Sequence, residues 1–144
     1  MDIGGDDAGG GTLAVGLNTN AWQMGALPAG GVVDTWYASP GYFTVTNSGS
    51  VPARLLLSVT NATPSGWAPA SAPGNSAFQM SIAIGPAAAR PVFHPLSFAP
   101  LLLTDRIETN AVVNFDLEFR APTGTANTNA PQTIRVTVAA LPVE

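Results

Sequence analysis

The side chains that could support catalysis are few and lie far apart in the sequence. His94 is the only histidine, and it stands in the segment Pro91-Val92-Phe93-His94-Pro95 without a neighbouring nucleophile or carboxylate. A catalytic base needs such partners within hydrogen-bond reach, and the chain has no Gly-x-Ser-x-Gly elbow to supply one. We therefore interpret His94 as a structural or surface histidine and predict that no hydrolase activity depends on it.

Two pairs of carboxylates are close in sequence: Asp105 with Glu108, and Asp116 with Glu118. Paired carboxylates hydrolyse glycosides when the fold holds them at the right separation. Asp116 and Glu118, however, alternate with apolar residues, as side chains on the polar face of a strand do. We expect that face to be solvated and predict no catalytic residues.

Metal and cofactor sites are equally unsupported by the sequence. There is no cysteine, which excludes a disulfide framework, a thiol nucleophile and a cysteine-based zinc site. Asp2, Asp6 and Asp7 lack the alternating ligands of a calcium loop. The run Gly9-Gly10-Gly11 lacks the Lys-Ser/Thr of a phosphate loop. We predict neither a metal nor a cofactor.

The aromatic residues leave more than one interpretation open. Exposed rings on one face would stack on sugars, as in a carbohydrate-binding module, whereas in a plain sandwich the same rings fill the core or an interface. Trp36 and Tyr37 are adjacent, so in an extended segment one of them is partly exposed. We favour core or interface positions over a sugar platform. The interface candidates are Trp22, Trp36, Tyr37 and Trp67.

Composition limits the partners and the compartment. The chain has 144 residues, a net charge of -4 and no lysine, so it offers no basic stripe for nucleic acid. Its apolar runs are far shorter than the roughly 18 to 20 residues of a membrane-spanning helix. A surface without lysine or cysteine and rich in Thr, Asn and Pro favours a protease-exposed location outside the cytosol, on the cell surface or beyond it.

The elements that would position these side chains are strands. Apolar residues recur with a period of two, and the 13 prolines and 15 glycines lie between the alternating segments. This pattern predicts an all-β fold, an antiparallel sandwich of the Ig-like or jelly-roll kind. The Pro-rich connections 64–76 and 85–100 are long, which is typical of loops that are functional or packed against something. Predicted strands cover residues 12–17, 42–46, 53–60, 78–84, 113–120 and 133–138.

Two hairpins are expected from the order of these strands. The cluster Asn47-Ser48-Gly49-Ser50 is a strong turn signal between the second and third predicted strands. The last two strands are predicted to pair, with Glu118 opposite Arg135 on the outer face and Leu117 near Val136 inside.

The N-terminus is predicted to be a flexible leader, residues 1–11, followed by one domain, residues 12–144. The leader is rich in Gly and Asp and lacks the basic and apolar regions of a signal peptide; whether such a peptide has been removed stays open. The one glycosylation sequon, Asn61-Ala62-Thr63, is followed by Pro64, which hinders modification.

From Gly11 onward the chain resembles the TasA/camelysin-like biofilm-fibre proteins and the related archaeal bundling-pilus subunits. The matching segments are Gly11-Thr12-Leu13-Ala14-Val15, the Pro40-Gly41 turn, Phe43-Thr44-Val45-Thr46-Asn47-Ser48-Gly49-Ser50-Val51 and the final Thr133 to Ala140 strand. The resemblance implies a β-sandwich subunit that polymerises when an N-terminal strand completes the sheet of a neighbour. Here that strand falls on Thr12, Leu13, Ala14, Val15, Gly16 and Leu17.

The sequence therefore favours a non-enzymatic structural subunit that assembles with itself or another structural protein, without nucleic acid and without insertion in a membrane. An extracellular filament or pilus is the first hypothesis, with Leu13, Val15 and Leu17 in an apolar groove. A capsid-decoration or other virion protein is the alternative. A carbohydrate-binding module is the third.

Overall fold

The computed structural model describes residues 11–24, 27–37, 39–63, 65–86, 88–124 and 132–143, and the backbone of residues 2–6. Within these residues there is no helix, and the all-β sandwich expected from the sequence is confirmed. The strands are β1 (Asp2–Asp6), β2 (Thr12–Leu17), β3 (Val32–Asp34), β4 (Phe43–Asn47), β5 (Ala53–Val59), β6 (Ala68–Pro69), β7 (Ala77–Gly85), β8 (His94–Pro95), β9 (Leu101–Ile107), β10 (Val112–Arg120) and β11 (Val136–Pro142).

The larger sheet is built around β10. Its strand order is β1-β2-β4-β10-β7-β6, with β3 also on β10 and β8 also on β7. One edge of β10 is shared, since β4 pairs with its first half and β3 with its last three residues. The other edge pairs with β7 from Asn114 opposite Gly85 to Arg120 opposite Gln79. The pairs are antiparallel except the short β6–β7 pair, which is parallel.

The smaller sheet has the order β11-β5-β9. β11 pairs with β5 without interruption, from Val136 opposite Val59 to Pro142 opposite Ala53. The β5–β9 pairing contains two register shifts, between Ala53 and Leu55 and between Leu55 and Leu56. Bulges of this kind twist an edge strand away from regular pairing.

The core lies between the two sheets because the inward side chains of both are apolar. In β5 every second residue is buried, from Ala53 to Val59, and in β4 the same alternation runs from Phe43 to Asn47. Ring contacts add to this packing, with Phe43 and Phe115 stacked at a centroid distance of 5.1 Å. The larger buried side chains are Leu13, Val15, Phe43, Val45, Leu55, Leu57, Val59, Trp67, Phe78, Met80, Ile82, Leu96, Leu103, Ile107, Phe115, Leu117, Phe119 and Val138.

The turn at residues 47–50 does not close a hairpin, and that prediction is wrong. β4 belongs to the larger sheet and β5 to the smaller one, so the chain crosses between the sheets here. The fully buried Asn47 holds this crossover. Its Nδ2 donates to the carbonyl oxygens of Val51 and Ile107, both at 2.9 Å, and its Oδ1 accepts from the Gly49 amide at 2.9 Å.

The predicted hairpin of the last two strands is also wrong. β10 pairs with β3, β4 and β7, whereas β11 pairs with β5 in the other sheet. Glu118 lies opposite Asp34 and Ser81, and Arg135 precedes β11. Phe115, Leu117 and Phe119 are nevertheless buried, as expected. The alternation was therefore right about the buried face and uninformative about the partner strand.

Candidate functional site

The predicted assembly strand coincides with β2, Thr12–Leu17. In the structure β2 lies in the larger sheet between β1 and β4, and it pairs with β4 from Val15 opposite Asn47 to Leu17 opposite Val45. Leu13 and Val15 are buried in the core of the same chain, while Leu17 is 44% exposed. Two of the three side chains that were expected in an apolar groove are thus buried, and they lie in the core of their own chain.

β1 pairs antiparallel with β2, with Asp2 opposite Ala14 and Asp6 opposite Thr12. A flexible leader was expected for residues 1–11, whereas residues 2–6 form this strand. Residues 7–10 of the predicted leader lie outside the described part of the chain.

The first half of β2 is bonded to the crossover loop instead of to β4. Ala14 O accepts from the amides of Ser48, at 3.1 Å, and Gly49, at 3.2 Å, and Thr12 O accepts from the Ser50 amide at 3.0 Å. A Cβ built on Gly49 would overlap Thr12 O and stand 2.9 Å from the nitrogen of Ala14. Glycine is therefore required where this loop meets β2.

Asn18 extends the attachment of β2 to β4 beyond the end of the strand. Its amide donates to Thr44 O at 3.1 Å, its Nδ2 donates to Tyr42 O at 2.9 Å, and its Oδ1 accepts from the Thr44 amide at 2.7 Å. The described residues between Asn18 and β3 form no strand, and Trp22, Met24 and Leu27 pack partly buried against the core. Residues 19–21 thus connect the β2 segment, which ends with Asn18, to the next residues that pack against the core.

The four aromatic candidates lie in different environments and do not form one platform. Trp67 is buried in the core, whereas Trp22 and Trp36 are half-buried. Tyr37 is 86% exposed. Among these four rings only Tyr37 is at the surface, so they do not offer the row of exposed rings that stacking on a sugar chain requires. This arrangement favours the core interpretation over the sugar-binding one.

Asp116 and Glu118 do not lie on a solvated face: their side chains are buried, with residue exposures of 1% and 4%. The outer face of β10 is covered there by residues 34–35, by residues 41–42 and by Arg90. Asp116 Oδ1 accepts from Thr35 Oγ1 at 2.7 Å and from the Tyr42 amide at 3.1 Å, and its Oδ2 accepts from the Gly41 amide at 2.7 Å. These three hydrogen bonds attach Thr35, Gly41 and Tyr42 to β10.

Glu118 belongs to an ionic cluster centred on Arg90, in the long loop between β7 and β8. The Arg90 guanidinium pairs with Glu118 and with Asp34, the latter at 2.6 Å, and Arg120 Nε lies 3.1 Å from Glu118. The Arg90 guanidinium carbon also lies 5.1 Å from the Phe93 ring centroid and 6.0 Å from that of Trp36. The hydrogen bond to Asp34 raises the pKa of Arg90 above its usual value, burial opposes this, and both carboxylate charges add to the rise. Arg90 is thus a permanent cation that fixes its loop.

The remaining candidates for chemistry are dispersed. His94 is exposed on β8, Asp105 is exposed on β9, and Glu108 forms an exposed pair with Arg106. Asn61 of the sequon is exposed. Across the described residues, no three His, Asp or Glu side chains gather to hold a metal ion. The described part of the chain also contains no helix that is long and apolar enough to cross a membrane.

An apolar cleft opens between the two sheets where β9 faces β7. Its volume is about 380 Å³, and Leu57, Ile82 and Leu103 form its floor from the core side. Ile84, Val92 and Leu102 line it and are each at least half exposed. Within the described part of the chain β9 has a strand partner on one side only. Pro91, Val92 and His94 also line the cleft, and they belong to the Pro-rich connection 85–100 that the sequence predicts to be functional or packed against something.

A second cavity, of about 290 Å³, lies at the end of the sandwich beneath Trp22, and we refer to it as the Trp22 cavity. Its inner wall consists of core side chains from both sheets, and its mouth is formed by residues 19–24 and 132–134. The inner wall comprises Phe43, Met80, Phe115, Leu117, Val136 and Val138.

Comparison of the chain with protein-family models, with curated proteins and with solved structures gives no match.

Asn47, Arg90 and Asp116 hold loops against strands, a role that was not predicted from the sequence. For Asn47 a signal exists, because a turn-forming Asn directly after alternating apolar residues is suited to bond the backbone of its own loop. For Arg90 and Asp116 the partners are 28 to 81 residues away, and no local pattern marks them.

Proposed function

We propose that the protein is a non-enzymatic structural subunit that assembles with copies of itself into an extracellular filament or pilus, in which β2 of one subunit completes the larger sheet of the next. The observation that carries the proposal is the placement of β2. It supplies Leu13 and Val15 to the core. Between Asn18, which bonds to β4, and Trp22, which packs against the core, the chain continues through one short segment, residues 19–21.

Exchange of β2 between subunits would conserve its contacts. The bonds to β4 and to the 48–50 loop are the same whether β2 comes from its own chain or from a neighbour, as in domain swapping. Burying Leu13 and Val15 contributes roughly 1.5 to 3 kcal/mol each before ordering costs. Protein concentration then decides between closed and exchanged forms.

The length of the connection sets the geometry of such a polymer. Asn18 bonds to β4 and would move with β2, so the free connection is residues 19–21, which span roughly 10 Å when extended, at about 3.3 Å each. The donating and accepting subunits must therefore be in direct contact. The apolar cleft beside β9 supports the same proposal, because contiguous exposed apolar surface is typical of protein–protein contacts. The composition of the chain supports a location outside the cytosol.

The proposal is tested with a disulfide that reports which chain supplies β2. Gly16 and Thr46 are cross-strand partners, and a Cβ on Gly16 meets nothing within 4 Å. Directly opposed residues of an antiparallel pair lie within the Cα range of a disulfide, and the parent chain has no cysteine. The variant Gly16→Cys with Thr46→Cys is assembled under reducing conditions, oxidised and run on a non-reducing gel. A donated β2 gives a covalent ladder.

The matched control is Ser58→Cys with Thr137→Cys, a pair that joins β5 to β11 within one subunit. It should give cross-linked monomer in every state. Negative-stain microscopy of the parent and of material sheared from cells tests for filaments. Cross-linked monomer alone from filaments of the Gly16/Thr46 variant would refute strand donation. The absence of filaments at any concentration, with binding to a capsid instead, would favour the virion alternative.

A further inference from the structure

We propose that the Trp22 cavity binds a small, uncharged aromatic molecule of one or two rings. Leu17 of β2 and residues 19–24 of the same chain line this cavity, so the proposal applies to the closed form of the subunit, in which β2 pairs with its own β4, and it is tested on that monomeric form.

The size of the cavity suits such a ligand. Protein interiors are packed as densely as organic crystals, and voids larger than a water molecule are few. A cavity of about 150 Å³ lined by Leu, Ile and Phe stays dry and binds benzene. The Trp22 cavity, at about 290 Å³, has room for a second ring. It also opens to solvent between residues 19–24 and 132–134, which gives a ligand a way in.

The walls decide the chemistry of the ligand. Phe43 and Phe115 are stacked with an interplanar angle of 16°, and both rings line the cavity together with Trp22. A flat aromatic molecule gains ring contacts with such walls. No residue that lines the cavity in the described part of the chain is charged. A charged ligand would therefore lose its hydration without gaining a counter-ion.

The mouth differs from the interior and indicates how the ligand is oriented. Asn20 and Gln23 are exposed at the mouth, and Thr19 lies beside them. A single neutral polar group, such as a hydroxyl, can face these residues and water while the rings lie inside. Water is a poor occupant of the inner part, because an ordered water needs about two to four polar partners.

The test compares 1-naphthol with 1-naphthoate by isothermal titration calorimetry and thermal unfolding of the full chain. We expect saturable 1:1 binding of 1-naphthol, at least tenfold weaker binding of the charged 1-naphthoate, and a rise in Tm on the order of 5 to 10 °C at a hundredfold excess over Kd. The variant Val136→Phe places a ring in the cavity and should weaken 1-naphthol binding at least tenfold. The variant Ala21→Phe narrows the mouth from an exposed position and should do the same without altering the core.

The control variant is Val112→Phe, the same substitution at an exposed strand position that lines neither the cavity nor the cleft. It should bind 1-naphthol as the parent does. A folded parent that shows no saturable binding would overturn the proposal. Equal binding by the parent, Val136→Phe and Ala21→Phe would also overturn it, because the ligand would then occupy another site.

Discussion

Replacing Arg90 by alanine should destabilise the fold much more than replacing another arginine that also forms an ion pair. Arg90 bridges Asp34 and Glu118, whose side chains are only 9% and 5% exposed, while its own side chain is 45% exposed. Removing it leaves two mostly buried carboxylates with fewer partners. Asp34 keeps the Tyr37 amide at 2.7 Å, and Glu118 keeps Arg120, so the loss is partial.

The magnitude follows from these exposures. Exposed ion pairs contribute about 0.2 to 1 kcal/mol, and hydrogen bonds to charged groups about 1.5 to 3 kcal/mol when buried. Two half-exposed pairs, with contacts to the Trp36 and Phe93 rings worth about 0.5 to 1 kcal/mol, give roughly 2 to 3 kcal/mol in all. For a chain of this length that lowers Tm by about 6 to 12 °C.

The assay is urea unfolding followed by circular dichroism, with hydrogen exchange at Leu96. The Leu96 amide donates to Met80 O at 2.7 Å and follows the loop that Arg90 fixes, so its exchange should accelerate in the Arg90→Ala variant. Arg106→Ala is the matched control, because the Arg106–Glu108 pair is exposed on both sides, and it should cost less than about 0.5 kcal/mol. Equal losses of unfolding free energy in the two variants would refute the argument.

Since the pKa of Arg90 is raised, the contribution of Arg90 to stability persists as pH rises and is lost only above the usual arginine range.

Two further substitutions test buried contacts. Asp116→Ala removes the acceptor of three donors and should lower the unfolding free energy by about 3 kcal/mol or more. Asp105→Ala, at an exposed position, is the control and should change it by less than about 0.5 kcal/mol. Comparable urea midpoints for the two variants would contradict this prediction. Gly49→Ala places a Cβ against Thr12 O and should lower the unfolding free energy by about 1 to 3 kcal/mol. Gly16→Ala is the control and should be close to neutral, because a Cβ on Gly16 meets nothing within 4 Å. A Gly49→Ala variant as stable as the parent would show that the loop can shift away from β2.

The strands were predictable from the sequence because their burial alternates locally. β2 has the predicted bounds, and β4, β5, β7 and β10 deviate by one residue at one or both ends. β11 begins three residues later and ends four residues later than the predicted strand 133–138. β9 was not predicted, because its run of three leucines does not alternate with polar residues and two bulges interrupt its pairing with β5. Short strands such as β3 and β8 contain too few residues for a period to be visible.

Strand pairing and the burial of charge were not predictable in the same way, because both depend on distant residues. Nothing in the sequence of β10 shows that β3 and β4 occupy one edge and β7 the other. The same holds for Asp116 and Glu118, which look like a solvated face until Thr35 and Arg90 cover them. A polar strand face becomes a buried one when a loop with matching donors crosses it.

The crossover at residues 47–52 shows why a turn signal alone does not define a hairpin, and it also constrains the proposed assembly. Asn47 bonds to Ile107 O at the end of β9 in the smaller sheet, so the turn joins the sheets.

The amides of Ser48, Gly49 and Ser50 in that turn use Ala14 O and Thr12 O of β2 as acceptors. A donated β2 must present the same two carbonyl groups, because otherwise these amides would lose their partners. The fit of Gly49 against Thr12 then admits one register only, since a shift by one residue would also turn Leu13 and Val15 out of the core. The crossover loop would in this way select the correct strand of a neighbouring subunit.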